Sequence, residues 1–155
     1  MKTIILYASK YGAAAEIAQR IAGKIDGAVI HDLKKDPPSL AEYDCVIFGS
    51  SVYAGAIRKE AKVFLSKNAH LLREKKLGLF LCGIGAEGEK TYFDANFSPE
   101  ILQAAKARSF LGGIFDPEKA NLFERFIIKI VTKKSDPVNT IDDGKIGQFA
   151  EVMKA

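Results

Sequence analysis

Thr3, Ile4, Ile5, Leu6, Tyr7, Ala8, Ser9, Lys10, Tyr11, Gly12, Ala13, Ala14, Ala15, Glu16, Ile17 and Ala18 carry the chain from an apolar run through a polar bend into an amphipathic segment. Thr3 to Ala8 is nearly continuously apolar, as a parallel strand covered on both faces requires. Ala14, Ile17, Ala18, Ile21, Ala22 and Ile25 then recur at helical spacing. A helix that opens directly after such a bend turns its first backbone N–H groups towards it, and those groups with the helix dipole favour a bound anion. The stretch therefore reads as strand, phosphate-type loop and helix.

The same alternation continues outward. Strands are expected at Ala28 to Leu33, Asp44 to Gly49, Leu77 to Cys82 and Ala107 to Phe115. Between them fall a short helical turn at Ser39 to Glu42, a long helix from Ile57 to Leu72, and one or two helices within Glu89 to Lys106 with a start signal at Ser98 and Pro99. Leu122, Phe123, Phe126, Ile127, Ile130 and Val131 form a further helical stripe, and Ile146, Phe149, Ala150 and Met153 a last one. Strands alternating with helices imply an α/β, doubly wound, five-stranded parallel sheet with an additional C-terminal helix, and 155 residues fit a single domain, 1–155. In such sheets ligands bind beyond the carboxyl ends of the strands, where the strand order reverses. Three loops belong there, at 9–14, 50–55 and 83–88, all rich in small residues that let backbone approach a ligand closely.

Composition narrows the class. With 48% hydrophobic and 27% charged residues the chain is ordinary globular material, and no stretch is long and apolar enough to span a bilayer. Met1 leads straight into the first strand without a secretory leader, so a cytoplasmic location is expected. Cys45 and Cys82 lie in apolar runs without C-x-x-C spacing and read as buried free thiols; His31 and His70 stand apart, and no metal site is expected. The first loop has no Gly-Lys-Ser/Thr after its glycine and no dinucleotide-type glycine spacing, which argues against nucleotide hydrolysis. A phosphorelay receiver would need acidic residues after the first strand and an aspartate after the third, where this chain has Ser9, Lys10, Gly49 and Ser50. No Ser/His/Asp or Cys/His constellation is present, so no catalytic residue is assigned, although Glu87, Glu89, Lys90 and Tyr92 lie near enough to the third loop to meet a substrate. The net charge of +4 inclines the protein towards anionic small molecules or surfaces; no nucleic-acid partner is expected.

The three loops resemble the flavin-binding loops of flavodoxin-like proteins. The residues that carry the resemblance are Ser9, Lys10, Tyr11, Gly12, Ala13 and Ala14; Gly49, Ser50, Ser51, Val52 and Tyr53; and Cys82 with Gly83. The resemblance implies strand order 2-1-3-4-5 and FMN as cofactor. It implies that Ser9, Tyr11, Gly12, Ala13 and Ala14, with the charge of Lys10, hold the phosphate. Ser50, Ser51, Val52, Tyr53, Ala54 and Gly55 would flank one side of the ring, with Tyr53 beside it, and Cys82, Gly83, Ile84, Gly85 and Ala86 the other. Ala14 stands where the family usually has a threonine, and each neutral hydrogen bond lost is worth roughly 0.5 to 1.5 kcal/mol, so more of the phosphate affinity falls to the backbone. The Ser-x-Tyr-Gly pattern is also similar to the flavodoxin-like quinone reductases. The segment Asn121 to Val131 resembles a helix of the menaquinone-dependent protoporphyrinogen oxidases, which implies a quinone or a porphyrinogen-like small molecule as substrate. Arg125 and Lys129, with Lys119, Lys133 and Lys134 flanking the segment and Ile128 off the apolar stripe, fit peripheral contact with the inner face of a membrane. The other reading is a flavodoxin electron carrier whose partner is a redox protein. Such carriers are typically acidic, and the basic charge of this chain tilts against that route.

Overall fold

The computed structural model describes residues 1–85, 88–115 and 138–155. Its sheet is built on β1 (Thr3–Ala8), β2 (Val29–Asp32), β3 (Cys45–Tyr53), β5 (Lys76–Cys82) and β6 (Ala105–Phe110), with a two-residue strand, β4 (Ala56–Ile57), antiparallel to the end of β3. The order is β2-β1-β3-β5-β6 and every pairing along it is parallel. This is the doubly wound 2-1-3-4-5 arrangement, in which the chain leaves β1 in one direction for β2 and then returns past it to β3.

Alternation along the central strands separates two cores. Ile4, Leu6, Val46, Phe48, Leu79 and Leu81 face α2 (Lys59–Arg73), α3 (Glu89–Asn96) and α4 (Pro99–Ala104). Ile5, Cys45, Ile47, Phe80 and Cys82 face α1 (Ala13–Ala22) and α5 (Asp143–Lys154). Because both faces are covered, the strands read as continuous apolar runs rather than alternating ones. Two glycines let these layers close. A Cβ on Gly49 would stand 2.1–2.3 Å from the Phe80 ring, and one on Gly78 would meet Met153 and Phe149 of α5. An Arg20–Asp143 ion pair at 2.9 Å ties α1 to α5.

Several expectations change in detail. Ser39 to Glu42 is a turn, not a helix: the Ser39 hydroxyl accepts from the Ala41 N–H at 3.3 Å, and four residues after two prolines complete no helical ladder. The third strand does not stop at Gly49. It runs on to Tyr53, so most of the expected loop 50–55 is strand, closed by the two-residue turn Ala54-Gly55 with Val52 opposite Ile57. Both turn residues have positive φ, 51° and 81°, the type I′ pattern whose twist matches a hairpin. Ile57 accordingly belongs to β4 and the helix starts at Lys59. The segment after Glu89 holds two helices, separated at Phe97 and with the second capped by Ser98, whose hydroxyl accepts from the Ile101 N–H.

The expected strand Ala107 to Phe115 is split. β6 ends at Phe110, and β7 (Ile114–Phe115) pairs antiparallel with β8 (Val138–Asn139). Gly112, at φ +89°, turns the chain out of the sheet, and Gly113 packs so tightly on Gly83 that a Cβ there would lie 2.5 Å from the Gly83 carbonyl oxygen. The helix read at Leu122 to Val131 lies outside the described residues.

Candidate functional site

At the carboxyl ends of β1, β3 and β5 the three loops meet around one cleft. It holds about 560 Å³ of empty space, its open mouth included. Lys10, Tyr11 and Ala13 form one wall, Ser51, Val52 and Tyr53 a second, and Cys82, Gly83 and Ile84 a third. Ile114 and Phe115 also line it.

The first wall is shaped by its own hydrogen bonds. The Gly12 N–H donates to the Ser9 hydroxyl at 2.9 Å, closing the bend, and Gly12 takes φ +100° before its carbonyl accepts the first helical bond from Glu16. The N-terminus of α1 carries no side-chain cap, so the orphan N–H groups of its first turn are left to other acceptors. Ala13 and Ala14 are buried, Ala14 completely, within the core under α1. Ser9 thus organises the bend, and Ala14 belongs to the packing beneath it.

The second wall is the β3–β4 hairpin. Strand alternation sends Ser51 and Tyr53 to the α1 side and Ser50 to the other. Ser50 is fully buried, and its hydroxyl donates to the Ser51 carbonyl at 2.9 Å while accepting from the Arg58 N–H at 3.0 Å. It therefore links the hairpin to the start of α2 and does not line the cleft. Ala54 and Gly55 likewise form the turn and stand outside the lining. Asn96 fastens this turn from α3. Its side-chain oxygen accepts from the Ile57 N–H at 3.0 Å, and its amide donates to the Gly55 and Tyr92 carbonyls at 2.9 and 2.8 Å.

The third wall is held from behind. The Gly83 N–H donates to the Gly112 carbonyl at 2.9 Å, and a Cβ on Gly83 would crowd the Val52 carbonyl at 3.2 Å. Thr140 in turn fixes Gly113, donating its N–H to the Gly113 carbonyl and accepting the Gly113 N–H on its hydroxyl at 3.1 Å. Glu89 accepts from the Phe110 N–H at 2.8 Å, so that carboxylate ends β6. Cys82 lines the cleft but is fully buried, and burial pushes its thiol pKa up to about 12. It is an uncharged wall atom, not a nucleophile. Gly85 has positive φ in the same loop, and Ala86 and Glu87 lie outside the described residues.

Charge and polarity in the cleft are sparse. Among the described lining residues Lys10 is the one charged side chain, and its Nζ stands 4.1 Å from the centroid of the Tyr53 ring and 5.3 Å from that of Tyr11. The Ser51 hydroxyl oxygen is shielded from solvent and has no hydrogen-bond partner among the described residues. An unsatisfied buried hydroxyl costs free energy. The cleft suits a flat, mainly apolar ligand with a few hydrogen-bonding edges and an anionic tail at the α1 N-terminus. Among the described residues no group of three or more His, Cys, Asp or Glu is placed to hold a metal ion, and no helix is long and apolar enough to cross a membrane.

Sequence reasoning missed Ile114 and Phe115 as lining and Asn96, Thr140 and Glu89 as supports. The Gly112-Gly113 pair was the available signal for the first two, since paired glycines at a strand's carboxyl end mark a departure from the sheet.

Fold and cleft together define an α/β protein of the doubly wound class with a cleft at the reversal of strand order. Within that class, the chain belongs to the flavodoxin domain family, whose model matches residues 4–140. It is 24% identical over 148 residues to the protoporphyrinogen IX dehydrogenase (quinone) of Escherichia coli K12, covering 87% of this chain and 81% of that enzyme. Its fold is similar to that of oxidised flavodoxin 2 from Bacillus cereus, with TM-score 0.62, 21% identity and coverage of 99% of this chain and 97% of that one. A flavoprotein of Lactobacillus acidophilus, solved with FMN, is similar at TM-score 0.53 and 18% identity, over 72% of this chain and 90% of that one. Rubredoxin oxygen:oxidoreductase of Desulfovibrio gigas is similar at TM-score 0.62 and 14% identity; the match takes in 99% of this chain but about a third of that longer protein, 35%.

Proposed function

We propose that this protein binds FMN in the cleft between its three loops and acts as an oxidoreductase of the porphyrinogen or quinone type. The observation that carries the flavin reading is the cleft itself: its lining joins Tyr53, Gly83 and Ala13 at the start of α1, whose first turn has no side-chain cap. The backbone of the Ser9–Ala13 bend would hold the phosphate, Tyr53 would stack on the ring, and the close-packed Gly83 backbone would take its other side. When bound, FMN supplies the two-electron chemistry, and the protein supplies binding, orientation and charge. That division of labour is consistent with a cleft in which no pair of described lining residues is arranged as acid and base.

The substrate class rests on the likeness to the Escherichia coli protoporphyrinogen IX dehydrogenase and on net charge. A basic protein attracts a substrate that bears carboxylates and does not match the acidic carriers that dock on basic partners. A place in the cytoplasm, with peripheral contact at the membrane that holds the quinone, belongs to the same reading.

Titration of the purified protein with FMN, followed by absorbance near 450 nm, tests the cofactor; saturable one-to-one binding is expected, and its absence overturns the reading. The FMN-loaded protein is then given protoporphyrinogen IX with menadione as acceptor. Turnover supports the enzyme. No turnover, with rapid reduction by a partner flavoprotein reductase, would instead make this chain an electron carrier.

A further inference from the structure

We propose that a groove between the segment after β2 and the first half of α2 docks an acidic segment of a partner protein, anchored by one apolar side chain. The inference stands apart from the flavin reading and uses none of the cleft residues. The groove holds about 810 Å³ of empty space, its open mouth included. Because β2 runs parallel to β1 and α2 follows the β3–β4 hairpin, the groove begins at the end of the sheet where the cleft lies. Charge is the first argument. Lys34 and Lys35 line one bank and Lys59 and Lys67 the other, against two acids, Asp36 and Glu60. The ion pairs among the described residues involve none of these lysines. Other surface hollows do not share the bias: Lys90 and Arg108 meet Glu89 and Asp94 in one, and Lys24 and Lys154 meet Asp143 and Glu151 in another. The excess is therefore local and not an even share of the chain's net +4.

The floor is the second argument. Leu33 and Phe64 form its base, both buried in the core on the α2 side, and Val63, 44% exposed, offers apolar surface beside them. Exposed apolar surface framed by ammonium groups suits an extended chain that presents carboxylates on both sides of an apolar side chain. The carboxylates meet the two banks, and the apolar side chain covers Val63 and the floor. A free polyanion gains nothing from that floor. A flat bilayer surface reaches the exposed lysines but not Phe64 beneath them. Charge and shape together thus favour a protein segment over either of those occupants.

The probe is a fluorescent peptide of glutamates flanking a single leucine, titrated into the full chain and followed by anisotropy. Saturable binding that weakens as salt is raised is expected. Lys35→Glu combined with Lys67→Glu reverses one charge on each bank, and about tenfold weaker binding is expected from the two exposed ion pairs lost. Lys24→Glu combined with Lys106→Glu makes the same change in net charge elsewhere on the surface and should leave the affinity within about twofold. Replacing the leucine of the peptide by serine should weaken binding to the wild type several-fold; this arm needs no variant and isolates the floor. Absence of peptide binding overturns the inference. Equal losses in the two double variants reduce the effect to net charge and overturn it as well. Co-sedimentation with phosphatidylglycerol vesicles is the remaining arm. Vesicle binding that falls in the Lys35→Glu, Lys67→Glu variant, beside peptide binding indifferent to the leucine, gives the face to a membrane and likewise overturns the docking site.

Discussion

At the scale of single residues, the site depends on side chains that never touch a ligand. Asn96 satisfies three backbone groups at once, at Ile57, Gly55 and Tyr92, and thereby fixes the hairpin that carries Ser51 and Tyr53. Asn96→Ala leaves those groups half-buried and unpaired, which costs about 1–3 kcal/mol. A lower urea midpoint of that size is expected, together with several-fold weaker FMN binding as the Tyr53 wall loosens. A full loss of stability with unchanged affinity would separate the hairpin from the site. Ala54 adds to the demand on this residue, because an alanine at φ 51° lacks the freedom of the glycine beside it. Ser50 shows the opposite lesson. Its type and position suit a loop that meets a ligand, yet the strand's period of two turns it to Arg58, where its hydroxyl is spent on backbone.

Among the elements, the decisive one is the chain's exit from β6. Gly112 leaves the sheet at φ +89°, and the Thr140 backbone lies so close that a Cβ on Gly112 would stand 1.9 Å from the Thr140 carbonyl oxygen. Backbone, not a flexible side chain, blocks that space. Gly112→Ala therefore combines a disfavoured conformation with overpacking, and destabilisation by about 3 kcal/mol or more is expected in urea unfolding. Gly12→Ala is the control: its φ of +100° is equally unusual but nothing lies within 4 Å, so only the conformational cost of about 1–2 kcal/mol applies. Equal costs at the two positions would refute the packing argument. The same exit carries Ile114 and Phe115 to the cleft and presses Gly113 on Gly83, so one glycine pair shapes two walls.

For the whole molecule, the sheet between two helical layers makes stability fall at alkaline pH. Burial pushes the Cys82 thiol up to about 12 from an ordinary 9.0, and raises Cys45 as well; burial and then Asp32 raise Tyr7. A group whose folded pKa is raised keeps its proton longer in the folded state. Stability is thus intact below the ordinary thiol value of 9.0 and declines as pH rises from there towards about 12, by up to about 1.4 kcal/mol per pH unit for Cys82. Urea midpoints from pH 8 to 11 should fall less steeply for Cys82→Ala than for the wild type; the cavity it leaves lowers stability at every pH but not the slope. Parallel slopes would disprove this role for Cys82. Of the architecture, local sequence determined a good deal. The apolar runs at Thr3–Ala8 and Leu77–Cys82, the helical stripes at Ile17–Ile21 and Ile146–Met153, and the glycine in the first bend report burial and backbone geometry directly, because periodicity and φ preference are properties of neighbouring residues. Tertiary structure decided what depends on contacts between distant segments. The turn after Tyr53 is held by Asn96, the break in the expected last strand by Gly83 and Thr140, and the place of Lys10 over Tyr53 by the approach of two loops from different strands. No local pattern encodes those meetings; they follow from the order in which the strands were laid side by side.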